Sequence, residues 1–187
     1  MKGFFTDEPQ YYRWDTAYSK VLIPYFKEEY GIELWDEIGK LFVDCDGAYA
    51  FRYKYWNALH KFFIESFAKQ IYDWCEAHGC QLTGHGVEES AMFMQMWCCG
   101  GIMDFYEFEH MPGVDWLGRG IGTDLEPKQV GSASEQLGKK HVMTETFACC
   151  GWNVSFEELR WIYESQMVRG VNYLCQHLEG YSLRGIR

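Results

Sequence analysis

Two glutamates in this sequence each close a short apolar run. Glu8 follows Gly3-Phe4-Phe5-Thr6-Asp7, and Glu145 follows His141-Val142-Met143-Thr144. A pair of carboxylates facing one another can split an acetal: one protonates the departing oxygen, and the other acts as nucleophile or as base for water. Because 145 − 8 = 137 residues separate the two, only a shared sheet would bring them together. Titratable groups also close three further runs that read as strands. His85 follows 80–84 and could hold a substrate hydroxyl or tune a carboxylate. Glu107 follows 102–106; with Tyr106 it could contact a hydroxyl or act as a third carboxylate that shifts the pair. His177, with Glu179, follows 171–175. Trp116 and Trp152 fall in loops, where an indole face could stack on a sugar ring.

The elements that must position these groups are helical. Apolar residues from Asp15 to Tyr30 recur at helical spacing up to Gly31, with Pro24 expected to kink or divide that helix. A short helix is expected over 34–42, and a long one over 48–76 ends before Gly79. Residues 90–96 read as a short helix or turn, 115–123 as a glycine-punctuated loop, 127–137 as a helix, and 156–168 as a helix entered at Ser155 with Glu157 and Glu158 in its first turn.

Short strands alternating with helices point to βαβ units and a parallel sheet in one α/β domain spanning 1–187. Acidic residues at strand carboxyl ends are how a (β/α)₈ barrel of the TIM type presents catalytic groups. Five strands cannot close such a barrel, so the expectation is a partial one, strands four to eight, lacking its amino-terminal half. The competing geometry is an open, doubly wound five-stranded sheet. Neither G-x-G-x-x-G after a strand nor G-x-x-x-x-G-K-[ST] is present, so no phosphate-binding loop is expected.

Composition narrows the partners. A formal charge of −10 argues against nucleic acid or an anionic membrane surface, and no apolar run approaches the length that spans a bilayer. Aromatic residues make up 18% of the chain, which suits a carbohydrate partner. The eight cysteines include two adjacent pairs and no C-x-x-C, so free thiols in a reducing, cytoplasmic setting are expected. The segment before Asp7 is too short for a signal peptide.

Several segments carry a family resemblance. Phe4-Phe5-Thr6-Asp7-Glu8-Pro9 resembles the Asn-Glu-Pro segment that ends strand four of clan A glycoside hydrolases, with Asp7 in place of Asn, and Thr144-Glu145-Thr146-Phe147 resembles their strand-seven glutamate. Leu82-Thr83-Gly84-His85, Gly138 to Phe147 and Cys150-Gly151-Trp152 are similar to the α-L-rhamnosidase-like glycoside hydrolases of family 106. The resemblance implies a (β/α)₈ catalytic domain within a larger enzyme and an inverting hydrolysis with Glu8 as acid and Glu145 as base. In a retaining relative Glu145 would be the nucleophile. It also implies possible dependence on Ca²⁺.

Two rivals follow from the residues. Cys149 and Cys150 lie near Glu145, but His141 begins the strand that the thiols follow, so a thiol–imidazole pair is not expected. The other rival is a non-catalytic carbohydrate-binding or scaffold fragment. An incomplete barrel would expose a sheet edge and could self-associate.

Overall fold

The computed structural model describes residues 2–11, 15–122 and 124–177. Its five strands are β1 (Gly3–Thr6), β2 (Gln81–Gly84), β3 (Gly113–Trp116), β4 (Met143–Thr146) and β5 (Tyr173–Gln176). Its helices are α1 (Leu22–Tyr30), α2 (Leu34–Glu37), α3 (Ala48–Phe63), α4 (Lys69–Ala77), α5 (Met92–Cys98), α6 (Ile102–Glu107), α7 (Leu125–Gln136) and α8 (Phe156–Met167). The fold is mixed α/β, with parallel strands in a two-stranded sheet, β1-β2, and a three-stranded sheet, β3-β4-β5. No helix among the described residues is long and apolar enough to cross a membrane.

Most helical expectations hold. Pro24 falls in the first turn of α1, where its missing N–H has no helical partner to lose, so it starts the helix instead of kinking it. Gly31 ends α1 at φ 65°, a left-handed conformation that costs glycine little. The long helix runs as expected but contains a π turn, Ile64–Ala68, between α3 and α4. Ser155 and Glu158 form a reciprocal cap at the start of α8.

One expected strand is a helix. Residues 102–106 belong to α6, with Ile102, Phe105 and Tyr106 buried at helical spacing; so short an apolar run cannot be told from a strand by periodicity. The third strand is instead Gly113–Trp116, inside a stretch that reads as a loop. Glycine and aspartate are poor strand formers, and this segment is extended because it pairs with β4, Gly113 opposite Met143 through Trp116 opposite Thr146.

The two sheets meet at β2 and β3 without a regular ladder. An isolated parallel bridge joins Thr83 to Met111. The His110 amide donates to the Leu82 carbonyl (2.9 Å), the Leu82 amide donates to His110 Nδ1 (2.8 Å), and the Thr83 hydroxyl donates to the Met111 carbonyl (2.7 Å). A Cβ on Gly113 would collide with the Gly84 carbonyl, so glycine lets the two backbones approach. The strands therefore lie side by side in chain order, β1 to β5, with no reversal.

Strand alternation then defines a face. Asp115 lies opposite Glu145, and Glu145 opposite Cys175. Extending the register through the Thr83–Met111 bridge sets Asp7 and His85 opposite Gly113, two residues before Asp115 and therefore on the same face of the strands. The edge-to-face contact of Phe5 with His85, 5.5 Å between centroids, agrees with that placement. Two of the three apolar cores among the described residues pack the helices. One packs α6, α7 and the π turn around Phe105, Tyr106, Val114 and Val130, and the other joins α1, α2 and α3 around Leu22, Phe26, Phe51 and Tyr55.

Candidate active site

The carboxyl ends of all five strands contribute to one cluster. His85, after β2, is 1% exposed. Its Nδ1 lies 3.0 Å from the Gly86 carbonyl, which can only accept, so Nδ1 carries a hydrogen. Its Nε2 faces Glu145 Oε2 at 2.8 Å and Asp7 Oδ1 at 3.6 Å. A contact of 2.8 Å between that nitrogen and a carboxylate needs a proton between them, so His85 and Glu145 share one. Burial opposes a charge on His85, but the Gly86 carbonyl together with Asp115, Glu145 and Glu89 outweighs it, and the net effect raises the imidazole pKa. On the other side, His177 Nε2 comes within 3.7 Å of Glu145 Oε1.

Asp115 stands next to Glu145 in the row. One of its carboxylate oxygens, Oδ1, is buried without a hydrogen-bond partner. Burial, with Glu145, Glu89 and Glu8 adding to it against the opposing His85, pushes its pKa up to about 7. Glu126, in the first turn of α7, is likewise pushed up to about 7 by burial and by Glu89 and Asp115. Glu8 has φ 45°, which breaks the alternation of β1 immediately after its end. That residue is half-buried, while Asp7 is exposed.

A buried glutamate holds the ends of β2 and β3 in place. Glu89 Oε1 accepts from the Gly86 amide (3.3 Å) and the Tyr106 hydroxyl (2.8 Å), and Oε2 accepts from the Asp115 amide (3.3 Å). Its own carbonyl accepts from Gln95 and Gln129. One side chain thus fixes both the loop carrying His85 and the backbone of Asp115. Tyr106 belongs to this support, fully buried behind the sheet, and is not a substrate contact.

Three other expectations need correction or restriction. Glu107 ends α6, ahead of β3, where its carbonyl accepts from Lys139, a residue that precedes β4; it therefore sits at the amino-terminal edge of the sheet, away from the cluster. Trp116 is 5% exposed, donates from Nε1 to the Gly120 carbonyl, and packs with Phe147, Cys150 and Ile162, so it is core and not a platform. Trp152, 52% exposed on the loop after β4, retains an open ring. Glu179 lies outside the described residues. Asp115 was not singled out by the sequence, and Glu89 only as one of two acids, with Glu88, on the loop after His85. The signal for Asp115 was its position two residues beyond the Pro112-Gly113 pair, in a segment whose pairing partner is distant.

All eight cysteines are free thiols. Burial raises the Cys150 pKa, the opposite of what an activated nucleophile needs, and His141 packs on Tyr173 at the start of the sheet.

Asp7, His85 and Glu145 also offer ligand atoms within 4.8 Å of one another. Calcium prefers six to eight oxygen donors, whereas an imidazole with two carboxylates suits a borderline transition ion better. The donor set argues against calcium at this place.

The raised carboxyl groups carry a stability consequence. A carboxyl whose folded pKa lies above its unfolded value of about 3.9 stabilises the fold at low pH and loses that contribution as pH rises through about 7. Asp115→Asn removes the cost of ionising this buried group. Relative to the native chain, the variant is expected to be more stable at pH 8 than at pH 5 by about 2 kcal/mol, after allowance for partial exposure. Urea unfolding of both proteins at the two pH values measures this, and an equal difference at both would contradict it.

No family model matches the chain, and no curated protein is similar to it.

Proposed function

We propose that this chain carries the acid–base centre of a glycoside hydrolase, acting on an α-L-rhamnoside-like substrate. One observation carries the proposal: side by side at adjacent strand ends lie a carboxylate held by imidazole, Glu145, and a carboxyl that keeps its proton to about pH 7, Asp115. Titratable neighbours whose surroundings push them apart are what acid–base hydrolysis requires. Glu145 activates water or attacks the sugar carbon. The proton delivered to the leaving oxygen comes from Asp115, whose carboxyl the nearby Glu8 charge helps to keep protonated. His85 orients Glu145, and Trp152 and His177 border the sugar.

The strand order supports a barrel wall as the setting. Five parallel strands in chain order with no reversal match part of a (β/α)₈ barrel, whereas a doubly wound sheet reverses at a switch point. Among the described strands, β1 and β5 each have an unpaired edge, and Phe4 and Phe5 are exposed by 39% and 42%. Those edges would accept further strands or a second copy.

A panel of nitrophenyl glycosides tests the activity. Nitrophenol release is expected from the α-L-rhamnoside ahead of glucosides and galactosides. Binding of rhamnosides without release from any member would favour a carbohydrate-binding role instead.

A further inference from the structure

A second concavity lies between α3 and α5. It is a cleft of about 750 Å³, within the range of small-ligand sites. Its walls come chiefly from three of the segments that line it. Asp15 and Thr16 belong to the connection that leaves β1, and Phe93, Met96 and Trp97 lie on α5, which follows the β2 loop carrying His85 and Glu89. The third is α3, with Tyr53, Trp56 and Asn57 in the amino-terminal half of the continuous 48–77 helix. The helix continues through α4 into the amino end of β2, so the α3 end lining the cleft is the one remote from the amino-terminal edge of the sheet. The cleft therefore opens on the side of the molecule that carries Glu145 and His85.

The lining is a row of ring faces with polar groups at the rim. Trp56 and Trp97 lie 5.4 Å apart at 32°, and Phe93 and Trp97 lie 5.9 Å apart at 35°. Phe93 and Tyr53 are 63% and 67% exposed. Asn57 and His60 supply polar edges, with His60 Nε2 2.8 Å from Asp104 Oδ2. The wall is held in place: the Tyr11 hydroxyl bonds the Met96 carbonyl, and Gly100 lies against the His60 ring so closely that a Cβ there would collide with it.

Flat apolar faces rimmed by hydrogen-bonding groups match pyranose rings, which present C–H faces and hydroxyl edges. Among the described residues of the cleft the one arginine, Arg52, is already engaged by Asp44 and the Lys40 carbonyl, which disfavours a phosphate-bearing ligand. We propose that this cleft binds the continuing sugar chain of the substrate, beyond the bond that is cut. This rests on the glycoside-hydrolase reading for its link to turnover, but not for binding itself.

The test is titration of the full chain with rhamnose-terminated oligosaccharides of two to six units, followed by tryptophan fluorescence, alongside hydrolysis of the same ladder. Affinity is expected to rise at least about tenfold from the shortest to the longest. Tyr53→Ala and Phe93→Ala, both at exposed positions where the fold is not at risk, should remove that rise and leave disaccharide binding unchanged. Hydrolysis with no length-dependent affinity, or a rise that survives both substitutions, overturns the cleft assignment while leaving the catalytic reading in place. Length-dependent binding lost in the two variants, with no hydrolysis of any member, upholds the cleft and defeats the catalytic reading. Absence of binding by every oligosaccharide also overturns the cleft assignment.

Discussion

Glu145→Gln is expected to lower turnover of an α-L-rhamnoside by about 10²–10⁴, the contribution typical of a positioned acid–base group. Glutamine keeps the shape and still offers an oxygen to His85 Nε2, so the fold and sugar binding should survive. It cannot take a proton or attack carbon, so the chemical step stops. The comparison needs kcat and KM separately: kcat falls, and KM stays within a few-fold. A variant that turns over at the native rate would remove Glu145 from the chemistry. His85→Ala should have a smaller effect on the same readout, because Glu145 is oriented by His85 but reacts through its own oxygens.

The second large effect is structural. Glu89→Ala deletes the acceptor for the Gly86 amide, the Asp115 amide and the Tyr106 hydroxyl in one step. Each buried donor left without a partner costs about 1–3 kcal/mol, so a total destabilisation of roughly 3 kcal/mol or more is expected. Burial raises the Glu89 pKa, so part of that loss is offset by removing a group that is costly to ionise there. Glu89→Gln retains an acceptor oxygen and should recover most of the stability. Because β2 and β3 share no ladder, the damage should concentrate at their junction. Hydrogen exchange is expected to accelerate at Gly86 and Asp115 before it does in β4. Uniform acceleration, or none, would show that Glu89 does not hold the two sheets together.

What the sequence made legible follows from how local each signal is. The ends of β1, β2, β4 and β5 and the long α3–α4 helix are written in contiguous runs with clear periodicity. The reciprocal Ser155–Glu158 cap is likewise a four-residue pattern. The third strand was hidden because Gly113, Val114, Asp115 and Trp116 adopt an extended form through pairing with residues 30 positions away, a relation that no local window contains. Losing that strand displaced two site assignments: Tyr106 and Glu107 were given a strand end that belongs to Asp115 and Trp116. Trp116 misled for a related reason, since a loop tryptophan and a strand tryptophan look alike until its core neighbours Phe147 and Ile162 are known. Glu89 was visible as one of two adjacent acids after His85. Nothing local distinguishes the one that turns inward from its exposed neighbour Glu88.

The strand-end cluster is tested most directly by the pH dependence of kcat/KM on a nitrophenyl α-L-rhamnoside, measured for the native chain and for Asp115→Asn. A proton held by Asp115 to about pH 7 predicts a rate that falls above about pH 7 in the native chain, with that limb displaced or lost in the variant. A native profile that stays flat from pH 5 to 9, or one whose basic limb is unchanged by Asp115→Asn, would contradict an acid–base role for this cluster.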